Sequence, residues 1–524
     1  MGQIRLLDCT LRDGGYINDW EFGEKAIRDI GRKIGEAGVE LFEVGFIKEA
    51  EFSKDRTVYP DITSIADIIA PKNKNMTYVG MLDMSHPLPE ECLIPCDGTS
   101  VDAIRVIFKK DKIELGYHYC ELVKKLGYHF YVQLVGTDNY SDVEFVETIQ
   151  RFNELEPDAV YIVDSFGLIK KKHFLRLVYL ADNNLKPQIA LGYHSHNNLQ
   201  QASGNAEALV ECNLTRDLMI DACVFGMGRG AGNLNLELFA EYMNENFGKN
   251  YRIEPMLEII DEYLADIYKY HFWGYSLPFY LSATCGCHPN YAVYLQEKDT
   301  LTVKSFRELL RTISPQDKVN FSKEKAEQYY RNYQQNFLDD RDALKELRNL
   351  LLDRKILLLA PGMSLHNDEK KIDDYITENA PVIVTLNFLS DHFKSDYVFC
   401  SNMRRYHNIE NSKDAKKILT SNVKVPCTDG YVVNYASYIS EETDIVDNSG
   451  VMLLKLLMTI GIKDVAIAGM DGYSAAVRKN YYDHGLDYDF ADQIEKRNEN
   501  ISVELKEINR QMKLDFITET MYTI

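Results

Sequence analysis

Leu7-Asp8-Cys9-Thr10-Leu11-Arg12-Asp13-Gly14-Gly15 closes a short apolar run that begins at Ile4, and Gly192-Tyr193-His194-Ser195-His196-Asn197-Asn198 closes another that begins near residue 189. Each segment sets charged or imidazole side chains directly after an apolar, β-branched stretch, as at the end of a strand. The same rhythm runs between and around them. Apolar runs at 4–8, 41–46, 77–82, 103–108, 130–135, 159–163, 189–194 and 219–224 read as strands. Helical spacing fills most gaps, at 24–37, 61–70, 111–126, 141–155, 170–183, 199–212 and 235–246. Eight such units within about 250 residues predict a (β/α)8 barrel. A doubly wound open sheet is the alternative, but it normally closes after about five to seven strands. In a barrel both quoted segments lie at strand carboxyl ends, where barrel active sites are built.

The chain has 524 residues, too many for one ordinary core. The expected division is an N-terminal TIM barrel over 1–290, a helical connector over 291–354 and a smaller Rossmann-like α/β domain over 355–524. Strand signal vanishes after residue 251, where 256–270, 303–311 and 322–352 read as helices. It returns with Lys355-Ile-Leu-Leu-Leu-Ala-Pro-Gly362, then with runs at 381–387, 397–400 and 464–468, the last preceded by an apolar helix at 447–460. Hydrophobic residues at 45% and charged residues at 27% exclude a disordered or fibrous chain. A net charge of −21 argues against nucleic acid or an anionic membrane as partner. No apolar run reaches the roughly 20 residues of a membrane helix, and the first residues lack a signal-peptide pattern. The expected location is therefore cytoplasmic. Ten cysteines without a Cys-x-x-Cys pair read as buried apolar residues rather than a zinc knuckle.

His194 and His196 are two apart, so on an extended segment their rings share a side. With Asp13 they offer two imidazole nitrogens and a carboxylate, which leaves positions open for substrate and water as in a catalytic site. Such mixed ligands suit Mn²⁺ or Mg²⁺ first, with Co²⁺, Fe²⁺ or Zn²⁺ as other candidates. A lone His-x-His is more often a hydrogen-bonded pair, and a lone Arg-Asp-Gly is uninformative; it is their joint occurrence that points to a metal. Glu43, Gln133 and Asp83 could line the same cavity, or fill barrel layers and cap loops. His86, His118, His129, His173 and His271 have no partners at informative spacing.

Asp-Cys-Thr-Leu-Arg-Asp-Gly-Gly, then Phe42-Glu43-Val44-Gly45, His-Ser-His-Asn-Asn, and Gly226-Met-Gly-Arg-Gly-Ala-Gly-Asn233 follow in this order. Over about residues 3–295 the chain resembles the DRE-TIM metallolyase (HMGL-like) superfamily, most of all its 4-hydroxy-2-oxovalerate-type pyruvate aldolases. The resemblance implies that Asp13, His194 and His196 are metal ligands and that Asn233 is a fourth ligand or a near neighbour. It implies that Arg12 stabilises an enolate oxygen and that Asp164 and Ser165 lie where the carboxylate end of pyruvate binds. Tyr291 is a candidate for shaping the aldehyde pocket. The implied reaction is metal-dependent formation or cleavage of a 4-hydroxy-2-oxo acid from pyruvate, or a close 2-oxo acid, and an aldehyde. One position departs from the pattern: Tyr16 stands where the aldolases carry an acid/base histidine. A phenol, with a reference pKa of ~10, is a poor base near pH 7. Tyr16 could act with metal assistance, His288 in Cys285-Gly-Cys-His-Pro-Asn-Tyr291 could supply the base, or the aldol chemistry is altered. A Claisen-type acyltransferase using acetyl-CoA is the second enzymatic reading, and a binding or scaffold protein on a decayed barrel the non-enzymatic one.

Leu359-Ala-Pro-Gly-Met-Ser-Leu365 follows a strong apolar run, but the complete P-loop and Gly-x-Gly-x-x-Gly patterns are absent. With Leu386-Asn387-Phe388 and Ala468-Gly-Met-Asp-Gly-Tyr473 the segment is similar to sialyltransferase-like Rossmann domains. That similarity implies a nucleotide-sugar ligand near Gly362, Ser364, Asn387 and Asp471; a scaffolding or oligomerising module is the alternative. Together the two halves suggest an aldolase of carbohydrate or surface-polysaccharide metabolism, expected to form a homo-oligomer.

Overall fold

In the computed structural model the chain forms two compact units, Met1–Ala292 and Val293–Ile524. The structure describes residues 2–335, 338–412, 414–474, 480–482 and 494–524.

Eight parallel strands close the first unit into a barrel: β1 (Ile4–Asp8), β2 (Leu41–Ile47), β3 (Thr77–Asp83), β4 (Ala103–Phe108), β5 (His129–Leu134), β6 (Ala159–Asp164), β7 (Ala190–Ser195) and β8 (Leu218–Ala222). Closure comes from β1, which pairs with β8 along its length and with β2 at Leu7↔Leu41 and Asp8↔Phe42. A two-residue strand, Val58–Tyr59, extends β2 on its outer side. These runs are apolar because both of their faces are covered. Leu7, Leu41, Val79, Ala103, Tyr131, Tyr161 and Met219 are among those that fill the interior. Ile4, Phe42, Ile104, Val132 and Leu191 pack outward against the helical ring. Gly192 is required by this filling, because a Cβ there would sit 2.3 Å from the Tyr161 ring. β8 ends two residues before the sequence suggested: Phe225 turns to φ +57°, and the chain leaves the barrel as the loop that carries Arg229 and Asn233.

The outer helices start and stop by local chemistry. Glu24–Ala37 ends at Gly38 with φ +83°. Asp142–Phe152 opens with a reciprocal capping box between Ser141 and Glu144. The segment read as one helix over 256–270 is two α-helical stretches, Glu254–Ile259 and Ala265–Tyr270, joined by a π turn.

Among its described residues the second unit holds seven parallel strands, β9 (Ile356–Leu359), β10 (Val382–Leu386), β11 (Tyr397–Cys400), β12 (Lys416–Thr420), β13 (Gly430–Val433), β14 (Asp464–Ala468) and β15 (Lys513–Phe516). Their order is β13-β12-β11-β10-β9-β14-β15, so the winding reverses between β9 and β14. The apolar helix Ser449–Thr459 and the helix Ile494–Asn509 contribute to its core. The single helix expected over 322–352 is instead two, Lys323–Gln334 and Arg341–Leu351, and Leu347 and Leu351 of the latter pack into that core. Among the described residues no helix is long and apolar enough to cross a membrane.

Candidate active site

Every site residue read from the first unit's two quoted segments lies at the carboxyl end of the barrel. After β1 the chain turns tightly, with Asp13 N–H donating to Cys9 O at 2.8 Å, which drops Arg12 and Asp13 back over the barrel axis. Both are buried. β7 delivers His194 and His196 with ring centroids 5.4 Å apart and planes perpendicular. Ligand atoms of Asp13, His194 and His196 lie within 4.8 Å of one another.

Asn233 reaches this group from the loop after β8. Its Nδ2 donates to Asp13 Oδ2 at 2.5 Å and to Met227 O at 3.0 Å. Its Oδ1 is buried without a partner. An orphaned amide oxygen beside two imidazoles and a carboxylate is a donor set that fits a divalent cation. Ligand atoms of a second group, Cys9, His194 and Asp221, also lie within 4.8 Å of one another. It is the poorer site, since burial pushes the Cys9 thiol well up and Asp221 is already engaged by Arg105.

A chain of buried ion pairs underlies the ligands. Arg12 Nη1 donates to Asp13 Oδ1 at 2.5 Å and its Nε to Glu43 Oε2 at 2.7 Å. Arg105 Nη1 donates to the same Glu43 oxygen at 3.0 Å, and its Nη2 pairs with Asp221. Asp221 Oδ2 lies 3.0 Å from His194 Nδ1. A carboxylate at Nδ1 fixes the ring so that Nε2 faces the other ligands. Arg105 and Asp221 were not singled out from sequence. Their only signal is a charged residue inside a fully apolar strand, Ala103-Ile-Arg-Val-Ile-Phe108 and Leu218-Met-Ile-Asp-Ala222.

Electrostatics keep the ligands in binding form. Burial alone would raise the Asp13 pKa, but the Arg12 guanidinium, both histidines and the Asn233 amide hold it well below the usual carboxylate range. Burial pulls His196 down to about 3 against the pull of Asp13, so the ring is neutral at neutral pH.

The remaining candidates separate. Asp164 is buried, but its oxygens accept from the N–H groups of Leu168 and Ile169 at 2.8 and 3.0 Å, which ties down its own loop. Ser165 Oγ accepts from Gly136 N–H at 2.9 Å. Tyr16 and His288 both border Arg229, whose Cζ is 4.9 Å from the Tyr16 ring and whose Nη1 is 3.4 Å from His288 Nε2. Tyr16 is 39% exposed, but desolvation by its packed neighbours still raises its pKa, so the phenol keeps its proton. Burial, then the Arg229 charge, pulls His288 down to about 3, so its imidazole is neutral. Tyr291 is fully buried, one helical turn beyond His288. Glu43 joins the site as described, Gln133 is buried in the barrel, and Asp83 caps its own turn through Ser85 N–H at 2.8 Å.

In the second unit, Gly362 N–H donates to Gly469 O at 2.8 Å. Ser364 gives its backbone N–H to Asp471 at 2.8 Å and its hydroxyl to the same carboxylate. Asn387 has φ +62°, donates Nδ2 to Ser449 Oγ at 2.7 Å, and holds a buried Oδ1 without a partner. Gly362, Asn387, Arg405, Ser449, Asp471 and Arg497 are among the residues lining one cavity at the carboxyl ends of β9, β10 and β14.

Against known proteins, the HMGL-like family model matches residues 94–258. A 4-hydroxy-2-oxovalerate aldolase from Geobacillus genomosp. 3 is 25% identical over 268 residues, covering 50% of this chain and 77% of that protein. One from Roseiflexus castenholzii is 26% identical over 254 residues, covering 47% and 71%. Among solved structures, the N-terminal domain of a Bacteroides vulgatus protein assigned as an aldolase is 24% identical, with a TM-score of 0.47, over 56% of this chain and 96% of that one. These relatives support a metal-dependent carbon–carbon lyase, and Asp13, His194 and His196 form a group that could hold its divalent ion. The family-model match and these relatives support a place in the DRE-TIM metallolyase superfamily.

Proposed function

We propose that the barrel cleaves or forms a 4-hydroxy-2-oxo acid, with pyruvate or a close 2-oxo acid and an aldehyde as the other side of the reaction. The observation that carries this reading is the convergence of Asp13, His194, His196 and the orphaned Asn233 oxygen beside Arg12. Mn²⁺ or Mg²⁺ held there would supply Lewis acidity to the C1 carboxylate and C2 oxygen of the oxo acid. Arg12 is fixed through Nε and Nη1, which leaves Nη2 for the C2 oxygen where charge develops. In cleavage the 4-hydroxyl gives up its proton, the C3–C4 bond breaks, and its electron pair passes to C3 and the C2 oxygen; a proton then returns to C3. Neutral His288 is the acceptor we assign to the 4-hydroxyl proton, and the protonated Tyr16 hydroxyl is a donor to the aldehyde oxygen. Ser165 and Asp164 shape the loop near the carboxylate end, and Tyr291 backs the aldehyde side.

The test is pyruvate release from 4-hydroxy-2-oxo acids with and without EDTA, alongside metal analysis. Chelator-sensitive release with about one bound divalent ion per chain is expected. Protein that binds no divalent ion and does not enolise pyruvate would overturn the reading. For the second unit we propose a nucleotide-sugar ligand in the cavity at the winding reversal, where open α/β sheets bind ligands. In this reading Ser364 and Asp471 hold the Gly362 turn, while Asn387 faces the ligand. Calorimetry against CMP, CDP, UDP and their sugars decides it; no binding to any leaves a scaffold.

A further inference from the structure

The chain carries 59 basic against 80 acidic residues, yet two cations at the barrel mouth have no carboxylate partner among the described residues. Lys48 directly follows β2, its N–H held by Tyr59 O at 3.0 Å. Its Nζ lies 4.8 Å from the Trp20 ring centroid and 5.2 Å from that of Phe46. Phe46 in turn lies 5.7 Å from Arg12 Cζ, so Lys48 stands one aromatic ring beyond the reacting region. Partial burial lowers the Lys48 pKa against the opposing pull of Asp83 and Asp19, carboxylates that act on the ammonium without forming an ion pair with it. On the other side Arg229 lies over the Tyr16 ring, and its Nε is buried without a partner.

Tyr16, Trp20 and Phe46 join the two cations into one surface. Tyr16 and Trp20 meet edge-on at 4.8 Å, and Trp20 and Phe46 at 5.6 Å. An aromatic wall with a cation outside any ion pair at each end presents apolar area for a short carbon chain and charge for an anionic group. Holding unpaired cations there costs free energy that a bound anion returns. The 2-oxo acid does not fill this role, because its carboxylate goes to the ligand group and its C2 oxygen to Arg12 at the foot of the wall. On the aldolase reading above, we infer that the second substrate is an anionic aldehyde. Its carboxylate or phosphate sits at the Arg229 end, with Lys48 adding attraction from the far end of the wall, and its carbon chain lies along Tyr16 and Trp20.

The experiment uses the full-length, Mn²⁺-loaded protein with pyruvate and three acceptors: glyceraldehyde, glyceraldehyde 3-phosphate and glyoxylate. Expected is a kcat/KM about tenfold or more higher for an anionic acceptor than for glyceraldehyde, with the two anions telling phosphate from carboxylate. Lys48→Met and Arg229→Met should each erode that preference about fivefold through the KM of the anionic acceptor. Calorimetry with glycerol 3-phosphate, which cannot react, should show the same weakening in both variants, with or without metal. Equal use of neutral and anionic acceptors, or variants that raise the KM of pyruvate instead, would overturn the inference. Exchange of pyruvate C3 protons in D₂O separates the two claims. Exchange without anionic preference rejects only the anion site. Absence of exchange rejects the aldolase reading, and the glycerol 3-phosphate binding then decides the anion site alone.

Discussion

The carboxyl ends of the barrel and of the second sheet are built from similar material, short turns after apolar strands, but they spend their polar groups differently. In the second unit the turn donors are consumed internally: Gly362 N–H goes to Gly469, and both Ser364 donors go to Asp471. At the barrel mouth the buried polar groups are tied into a continuous ladder from Asp13 through Arg12, Glu43, Arg105 and Asp221 to His194. That ladder still leaves Asn233 Oδ1 without a partner. The Gly362 turn, with its donors spent, is a structural device that leaves only the neighbouring Asn387 Oδ1 open, whereas the barrel's rigid network sets its unspent ligand atom among two imidazoles and a carboxylate, prepared for a cation from outside the chain.

The sharpest way to break this contrast is to remove the ligands. Asp13→Asn and His196→Ala should each lose the bound divalent ion and lower metal-dependent pyruvate enolisation by about a thousandfold or more, read by metal analysis and proton exchange. Retention of metal by both variants would refute the assignment. The next effect tests the ladder. Arg105→Met removes the guanidinium shared by Glu43 and Asp221 in a dry barrel, leaving Glu43 with Arg12 alone and Asp221 with only the His194 ring, and should cost about 3–5 kcal/mol in urea unfolding. Asp221→Ala should weaken Mn²⁺ binding roughly 10–100-fold in protein that remains folded by circular dichroism, because His194 loses its orienting partner. A smaller loss is expected where the turn serves only itself. Asp471→Ala strands the Ser364 donors and should destabilise the second unit by about 1–3 kcal/mol without changing the metal content of the barrel.

Acidification gives the mildest test. His196 and His288 fold with values of about 3, well below the unfolded histidine at 6.5. Between those values the unfolded chain binds more protons, so their contribution is complete above about 6.5 and is lost as the pH falls toward 3. Metal-free protein should therefore lose thermal stability from pH 6.5 downward, and Mn²⁺ should offset the early part of that loss. An unchanged Tm down to pH 5 would contradict the burial of both rings.

Much of the barrel was legible in the sequence. Strands buried on both faces must be apolar throughout, and β1 and β4 run over the residues their patterns indicated. The second sheet was legible only at its centre. β12, β13 and β15 were not anticipated: they lie near the edges and carry polar or exposed residues such as Lys416, Gly430 and Lys513. Asp13, His194 and His196 could be read because two-residue spacing and strand ends are local properties. Arg105 and Asp221 could not, since their partners are 62 and 27 residues away.

By itself the sequence determined the alternation of strands and helices, the placing of Arg12, Asp13 and the two histidines at strand ends, and the departure at Tyr16. Only the tertiary structure decided which polar groups meet: that Glu43 joins the ladder, that Asp164 ties its own loop and Asp471 the distant Gly362 turn, and that Lys48 and Arg229 flank one aromatic wall. Local spacing fixes the face on which a side chain stands, but contact across a barrel depends on strand register and closure, which no single segment encodes.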